Sequence, residues 1–588
     1  MRVQSQKAVC VLATLAIIGV NSVTVHAQGA PPGTPGAAQV IISEVGRLLP
    51  AKAAKGMVSS QESRATRVGV DILKKGGNAV DAAVAVGFAL AVTLPRAGNL
   101  GGGGFMMVHS AASKETVAID YRETAPAAST PGMFLDEKGE PVPAKSRDSG
   151  LAIGVPGTVR GLALAHAKYG SGKFTLAQLI EPATALARTG ILVDEDLADS
   201  LPAAGGRLGR HAATRAIFFK SEKPLQPGDT LVQADLAATL DTIGKSGPDA
   251  FYKGPIAERI VSATRSIGGV MTTDDMANYQ VVIRKPVTGS YRGLEIASMP
   301  PPSSGGVHLI QILNMLEGFD LKAEGAGSAN ALHLMAEAMK PAYADRATFL
   351  GDPDRVKIPV KGLTSKNYAE VQRAGIDKDR AKKAAEVKSG NPLPYESDQT
   401  THYSVVDADG NAVANTYTLN FSYGVGLVAD GTGVLLNNEM DDFSAKPGAQ
   451  NAYGLVGSDA NSVAPGARPL SSMTPTFLFR DGKLALITGS PGGSRIISTT
   501  LQVIVNVIDH DMNIAEAVAA PRIHHQWQPD FLLTETGLSP DTIKLLTAKG
   551  QNVRVGSTSG SANSIQITPT GIIGAADPRQ RGTLAAGY

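Results

Sequence analysis

The sequence predicts an α+β protein in which helices pack over antiparallel sheet, and three features of its 588 residues indicate this class. Apolar residues recur with helical spacing near residues 159–168, 175–188 and 330–349. A strongly apolar segment opens at Gly76 and ends before Pro95, and its length of about 15 residues favours a buried core helix over a membrane span. After residue 400, short β-branched or alternating runs separated by turn sequences dominate.

The individual strands are predicted from alternation and β-branched content. In the first half of the chain, residues 106–109 and 117–121 are predicted strands. In the second half, residues 403–407 and 412–420 are predicted to form a hairpin, because the intervening Asp407-Ala-Asp-Gly-Asn411 is a turn signal. The remaining predicted elements are strands over 435–438, 474–479 and 484–488, and helices over 365–390, 496–508 and 541–549.

The charge balance argues against a nucleic-acid-binding protein. The whole chain has a net charge of +2, with 55 Lys and Arg against 53 Asp and Glu. Arg2 and Lys7 are the only charged residues among the first 27, so the rest of the chain is neutral. A nucleic-acid-binding domain would show a clustered basic surplus instead. No nucleic-acid partner is therefore expected.

The first 27 residues have the pattern of a cleavable secretory signal peptide. Two basic residues precede an apolar run over residues 8–20, and Val25-His-Ala27 is a small-x-small cleavage site. The run is too short to span a bilayer comfortably. We therefore expect a periplasmic or secreted protein without stable membrane insertion. The single cysteine, Cys10, lies in this leader, so a mature chain would have no disulfide.

The stretch Gln399-Thr400-Thr401-His402 carries the strongest chemical signal. It follows a Pro-rich, charged segment over 391–398 and opens the first strand of the predicted hairpin. If the chain is cut before Thr400, one residue supplies both a nucleophilic hydroxyl and an α-amine that can activate it. The amine has an unperturbed pKa of about 7.7–8.0, which suits a general base near neutral pH. Thr401 is the alternative nucleophile, and two ordinary strand threonines are the alternative interpretation.

Residues 76–588 resemble the bacterial γ-glutamyltranspeptidases (γ-glutamyltransferases), a family of N-terminal-nucleophile hydrolases. Eight motifs carry the resemblance, in family order along the chain. They are Gly76-Gly-Asn-Ala-Val-Asp-Ala-Ala-Val, Pro95-Arg-Ala-Gly-Asn-Leu-Gly-Gly-Gly-Gly-Phe, Tyr121-Arg-Glu-Thr-Ala-Pro, Thr400-Thr-His-Tyr-Ser-Val-Val-Asp, Asn437-Asn-Glu-Met-Asp-Asp-Phe-Ser, Pro469-Leu-Ser-Ser-Met, Gly489-Ser-Pro-Gly-Gly-Ser and the terminal Ala586-Gly-Tyr.

The resemblance implies a four-layer αββα sandwich built from two fragments of one precursor. It implies self-cleavage at the Gln399–Thr400 bond, with a large subunit of residues 28–399 and a small subunit of residues 400–588 that form a heterodimer. Thr400 would form a γ-glutamyl ester from glutathione or another γ-glutamyl amide. The acyl group would then pass to water, an amino acid or a dipeptide. No metal or organic cofactor is implied.

Catalytic roles follow from the same resemblance. Thr418 matches a threonine that hydrogen-bonds the nucleophile, and the predicted hairpin independently brings the end of its second strand back beside Thr400. Gly492 and Gly493 match the backbone N–H pair of an oxyanion hole, where a missing side chain lets main-chain donors approach the developing charge.

The resemblance also assigns residues to the two charged groups of a γ-glutamyl substrate. Arg122 suits forked recognition of the α-carboxylate. Ser471 and Ser472 add hydroxyl donors, and Asn420, Glu439 and Asp442 are assigned to the α-ammonium. Residues 442–462 match a flexible lid, and its Tyr453 reaches toward Asn420. Glu439 stands where relatives can carry Gln, so its charge would strengthen ammonium binding.

Two other functions remain open from the sequence. One is a glutaryl or cephalosporin acylase of the same superfamily. Its glutaryl substrate lacks the α-ammonium, so Asn420 and Asp442 would have no group to bind. The other is an exported binding protein that is never processed and therefore stays as one chain.

Overall fold

The computed structural model describes residues 48–392, 402–556 and 560–588. The predicted signal peptide and the predicted cleavage site with Gln399, Thr400 and Thr401 lie outside the described residues. Two seven-stranded sheets organise the described chain, and neighbouring strands in both are antiparallel. In spatial order, sheet I contains Leu584–Gly587, Met57–Ser60, Tyr403–Val406, Ala412–Thr418, Gly103–His109, Thr116–Tyr121 and Val282–Arg284. Sheet II contains Ala51–Ala53, Gly571–Ala576, Asn563–Thr568, Lys483–Thr488, Thr476–Arg480, Leu294–Ser298 and Val287–Tyr291.

The two sheets pack face to face, and the alternation of their side chains shows it. Along Ala412–Thr418, Val413 belongs to a core that also contains helix residues, whereas Ala412 and Ala414 belong to a cluster shared with sheet II. Along Thr476–Arg480, Phe477 joins the same shared cluster and Leu478 points away from it. Successive strand residues face opposite sides of a sheet, so this cluster is the layer between the sheets.

Helices cover the outer face of each sheet. Those on sheet I are Ser63–Lys74, Ala79–Thr93, Thr158–Tyr169, Leu176–Thr189, Ala234–Ser246, Asp249–Tyr252, Pro255–Ser266 and Thr273–Asn278. Those on sheet II are Gly305–Leu316, Leu321–Glu324, Ala329–Phe349, Val360–Leu363, Lys366–Arg373, Ile496–Ile508, Ile514–Ala519 and Pro540–Ala548. The resulting order of layers is helix, sheet, sheet, helix, which confirms the predicted αββα sandwich.

Smaller elements complete the chain. The helices Glu195–Leu208 and Ala212–Phe218 form a separate apolar cluster with Leu419 and Tyr423, and Pro143–Arg147 is a short helix. The short strands are Ile191–Leu192 with Thr230–Leu231, Phe219–Lys220 with Lys223–Pro224, Val428–Ala429 with Val434–Leu435, and Ile523–His524 with Leu532–Thr534 and Val553–Val555. The 3₁₀ turns are Gly150–Ala152, Ala384–Glu386, Glu439–Asp442, Asp459–Asn461 and Gly493–Arg495.

The predicted hairpin is present and is bonded to the apolar helix Ala79–Thr93. Asp407 in the turn accepts a hydrogen bond from the Ala79 backbone N–H at 2.9 Å, at the first residue of that helix. Asn78 caps the same helix through a capping box with Asp81. Tyr403 and Tyr417, one from each strand, donate their hydroxyls to carbonyls within the helix. The helix therefore holds the hairpin in one position.

Three predicted elements need correction at their ends. The strand predicted over 412–420 stops at Thr418, since Asn420 takes a left-handed φ of 72°. The strand predicted over 435–438 is limited to Val434–Leu435, because the Asn437 side chain bonds loop backbone instead. The helix predicted over 365–390 ends at Arg373, and the Asp377 side chain accepts backbone N–H groups in the following turn.

The other predicted elements agree with the structure, and their bounds differ by at most three residues. None of the helices in the described ranges combines the length and apolarity that crossing a bilayer requires.

Candidate active site

A cavity of about 490 Å³ opens where the hairpin ends. Six of the residues predicted for catalysis or binding line it, although they come from four separate segments. They are Thr418, Asn420, Glu439, Tyr453, Gly492 and Gly493. Four more predicted residues, Arg122, Asp442, Ser471 and Ser472, are buried. Arg122 contacts Glu439 directly.

Thr418 ends its strand at the cavity, and the neighbouring backbone is tightly fixed. Its Oγ1 accepts the Asn420 backbone N–H at 2.8 Å, and its carbonyl accepts the Asn99 side-chain amide at 2.9 Å. Gly102 packs so closely against this strand that a Cβ there would lie 2.0 Å from the Thr418 carbonyl oxygen. The glycine run near Asn99 therefore serves close packing under Thr418.

Gly492 and Gly493 also line the cavity. Their φ angles are 135° and 57°, which side chains disfavour. A Cβ on Gly493 would lie 2.6 Å from the ring of Tyr453. The pair leads through a 3₁₀ turn into the helix Ile496–Ile508, so its backbone lies at a helix N-terminus, where the dipole favours negative charge.

Arg122 is completely buried and binds both carboxylates that the resemblance assigns to the substrate ammonium. Its Nη2 donates to Asp442 Oδ2 at 2.7 Å, and its Nη1 donates to Glu439. Its Nε donates to the carbonyl of Pro469, which brings the segment with Ser471 and Ser472 to the same place. Burial disfavours the charged form of Arg122 and by itself would lower its pKa. The attraction of Glu439 and Asp442 is the larger effect, so the pKa of Arg122 is raised.

Glu123 is a third carboxyl group near Arg122, and no sequence pattern singled it out. Glu123, Glu439 and Asp442 together form the acidic cluster around Arg122. Burial raises its pKa to about 8, despite the attraction of Arg122. Burial likewise raises the pKa of Asp442 to about 6 and that of Glu439 well above its usual range. One guanidinium thus faces three carboxyl groups, a local excess of acid that favours binding of a further cation. The only sequence signal for Glu123 was its place beside Arg122 in the Tyr-Arg-Glu motif.

Two polar atoms around Arg122 have no hydrogen-bond partner within the described part of the chain. They are Glu439 Oε2 and the Ser472 hydroxyl. Buried polar atoms are rarely left unpaired in folded proteins. Their presence around Arg122 indicates a site built to bind a polar ligand.

Tyr453 lines the cavity and contacts Asn420. Its hydroxyl donates to Asn420 Oδ1 at 2.8 Å and approaches the Asn420 carbonyl at 2.9 Å. Its ring packs edge-on against Phe421, with ring centres 5.9 Å apart. The Asn420 amide in turn donates to the carbonyl of Asn438 at 2.9 Å, next to Glu439. Tyr453 therefore connects the predicted lid to the segment that carries the acidic cluster.

His402 is the first described residue after the predicted cleavage site, and its surroundings argue against a role as general base. Its ring lies close to Thr416 Oγ1 at 3.2 Å and Ser404 Oγ at 2.7 Å, and Ser404 donates to a carbonyl of sheet II. Burial lowers the pKa of His402 to about 3. The imidazole is neutral and positions the strand start between the two sheets.

Comparison with known proteins agrees with this geometry. The family described as Gamma-glutamyltranspeptidase matches residues 65–587. The chain is 56% identical to the glutathione hydrolase proenzyme of Escherichia coli (strain K12) over 96% of both chains. Among solved structures, it resembles the γ-glutamyltranspeptidase of Helicobacter pylori, with 46% identity, a TM-score of 0.56 and coverage of 57% of this chain and 96% of that one.

A more distant likeness is to the cephalosporin acylase of Bacillus halodurans, with 26% identity and a TM-score of 0.81 over 95% of this chain and 99% of that one. This acylase shares the fold at a lower identity than the glutathione hydrolase and the γ-glutamyltranspeptidase. The chain belongs to the γ-glutamyltranspeptidase family.

Proposed function

We propose that the protein is a γ-glutamyltransferase and glutathione hydrolase that cuts itself before Thr400 and uses this threonine as its nucleophile. The observation that carries the proposal is the register of the hairpin. Tyr403 lies opposite Asn415. Thr400 stands three residues before Tyr403, as Thr418 stands three residues after Asn415. The same register, continued, would pair Thr400 with Thr418 at the cavity.

Self-cleavage and substrate turnover would use one chemistry. In the precursor, the Thr400 hydroxyl attacks the Gln399 carbonyl carbon, the peptide C–N bond breaks, and the ester is hydrolysed by water. The freed α-amine of Thr400 then accepts the hydroxyl proton during attack on a γ-glutamyl amide and delivers it to the departing amine. The N–H groups of Gly492 and Gly493 would stabilise the oxyanion. Water or an acceptor amine takes the acyl group from the ester.

The acidic cluster supports recognition of a γ-glutamyl group over a glutaryl group. Both groups carry a carboxylate, which Arg122, Ser471 and Ser472 would bind. Only the γ-glutamyl group carries an α-ammonium, which Glu439, Asp442 and Asn420 would bind. A glutaryl group brings the anion without the cation and would leave buried carboxylates uncompensated. This charge balance favours the transferase over the acylase.

The proposed subunits, residues 28–399 and 400–588, would share both sheets. In sheet I, the strands Tyr403–Val406 and Ala412–Thr418 lie between Met57–Ser60 and Gly103–His109. Cutting before Thr400 would therefore leave the two fragments held by sheet hydrogen bonds and buried apolar contacts. We further propose that residues 1–27 direct export to the periplasm or medium and are then removed.

The test is Thr400→Ala, with Thr401→Ala as the matched control. We expect purified wild-type protein to run as two bands on a denaturing gel, and N-terminal sequencing of the smaller band to begin at Thr400. Thr400→Ala should stay as one inactive band, whereas Thr401→Ala should still be cut at the same bond. Normal processing of Thr400→Ala, or a wild-type protein that remains one band, would contradict the proposal.

A further inference from the structure

The cavity extends beyond the acidic cluster toward the helix Glu195–Leu208. Ser200, Ala203, Ala204 and Arg207 of this helix line it. Their spacing of three and four residues places them on one helical face. The two alanines leave space there, and the two polar residues lie on either side of them.

Arg207 places a cation at this end of the cavity, and no carboxylate among the described residues pairs with it. Its Nη2 donates to the Ser422 carbonyl at 3.0 Å, and its guanidinium lies 5.6 Å from the centre of the Phe421 ring. In the described chain it forms no salt bridge, and its Nε is buried without a hydrogen-bond partner. The nearby Arg210, in contrast, takes Asp148 at 3.8 Å. Burial lowers the pKa of Arg207 despite the attraction of Asp148, as expected for a desolvated charge that is incompletely neutralised.

Arg96 brings a second guanidinium to the same cavity. Its Nη1 is neutralised by Asp196, from the first turn of the same helix. Its Nη2 is buried and has no hydrogen-bond partner in the described part of the chain. Among the described residues, two nitrogens of these cavity-lining arginines thus lack acceptors, and only one of the two guanidinium groups is paired with a carboxylate.

We propose that Arg207, assisted by Arg96, binds the terminal carboxylate of the peptide on the amine side of the scissile bond. This peptide is the dipeptide part of a glutathione-like donor, or the acceptor dipeptide that replaces it. The acyl end of the donor goes to Arg122, and the reacting carbonyl lies between Thr418 and Gly493. The remaining part of the donor then points into the space beside the 195–208 helix. This inference rests on the proposed function.

The test compares glutathione with glutathione amide, which differ only in the terminal carboxylate. For the wild-type enzyme, we expect kcat/KM to be at least about 10-fold higher for glutathione, the usual value of a charge-assisted hydrogen bond. In Arg207→Met, which keeps an apolar side chain over Phe421, this ratio should fall to near one. Arg210→Gln is the matched control and should keep the wild-type ratio. Arg207→Lys should retain part of the preference, because lysine keeps the positive charge. The rest should be lost, because an ammonium cannot donate two parallel hydrogen bonds to the carboxylate as a guanidinium does.

A wild-type ratio near one overturns the proposal without any variant, so it stays testable even if Arg207→Met fails to fold. An unchanged ratio in folded Arg207→Met also overturns it. A wild-type enzyme that cleaves neither compound contradicts the proposed function and the carboxylate site with it. Equal cleavage of both compounds leaves the proposed function intact and removes the carboxylate site alone. If Arg207→Met also loses the wild-type preference for glycylglycine over glycylglycine amide as acceptor, the same site binds the acceptor dipeptide in the transfer step.

Discussion

Arg122 Nη2 lies 2.7 Å from Asp442 Oδ2, and both side chains are sealed from solvent, at 0% and 1% exposure. The two residues are 320 positions apart in the chain. Their contact places the Arg122 guanidinium beside the carboxylates that the proposed function assigns to the substrate ammonium. A bound γ-glutamyl group would have to enter this existing ion network, so changes within it should alter substrate binding and stability together.

Arg122→Lys should weaken binding of γ-glutamyl substrates. Lysine keeps the charge but cannot donate two parallel hydrogen bonds to a carboxylate. We expect KM for a γ-glutamyl anilide to rise about 10-fold or more, together with a lower Tm. The control is Arg147→Lys, which changes a half-exposed partner of Asp441 at 3.3 Å. A KM that is unchanged in Arg122→Lys would remove Arg122 from the carboxylate site.

Asp442→Asn should reduce discrimination between γ-glutamyl and glutaryl substrates. The amide has nearly the same shape but cannot compensate an ammonium, so the selectivity ratio should fall about 10-fold. Asp441→Asn is the neighbouring control, because Asp441 is also buried but bonds Ser146 and Arg147 instead. Equal selectivity in the wild-type enzyme and Asp442→Asn would show that the ammonium is bound elsewhere.

The acidic cluster should make the ligand-free protein less stable as the pH rises. The folded-state pKa of Glu123 is raised to about 8 from an ordinary value of 4.5. The stabilisation from its protonated form is therefore complete below about pH 4.5 and is lost as the pH rises through about 8. The pKa of Asp442 is raised to about 6, so its ionisation also lowers the stability of the folded protein as the pH rises through about 6.

Thermal unfolding between pH 5 and 8.5 measures this effect, and Glu123→Gln provides the comparison because it cannot ionise. We expect the wild-type Tm to fall more steeply over this interval than the Tm of Glu123→Gln. Using both proteins in the Thr400→Ala background would keep each as one chain. Parallel Tm curves would show that Glu123 does not titrate in this interval.

Tyr453→Phe should raise the share of hydrolysis relative to transfer. The change removes the hydroxyl that bonds Asn420 at 2.8 Å and keeps the ring against Phe421. A less firmly held lid admits water faster to the acyl-enzyme. Hydrolysis gives glutamate and transfer gives a γ-glutamyl dipeptide. The loss of one hydrogen bond should raise the ratio of glutamate to dipeptide about 5-fold. Tyr368→Phe, which loses a hydroxyl bond to Asp345 of the same length outside the cavity, should leave the ratio unchanged.

Local patterns were sufficient for much of the fold. The apolar helix Ala79–Thr93 and the hairpin around Asp407 were predictable because capping residues, periodicity and turn residues act within a few positions. The ends of elements were less predictable. Asn420 ends its strand through a left-handed backbone, and the Asn437 side chain replaces strand pairing with bonds to distant backbone.

The sequence by itself determined the chemistry of this protein: the hydroxyl pair before a buried strand, the paired glycines, and the order of motifs that marks the family. Only the tertiary structure decided which charges meet. Arg122 reaches Asp442 and Glu439 across more than 300 residues, and Glu123 joins them as a third carboxyl group. At the other end of the cavity, Arg207 has no carboxylate partner among the described residues. The physical reason is that periodicity and turn chemistry act over a few residues, whereas the pairing and desolvation of charges depend on packing between distant segments.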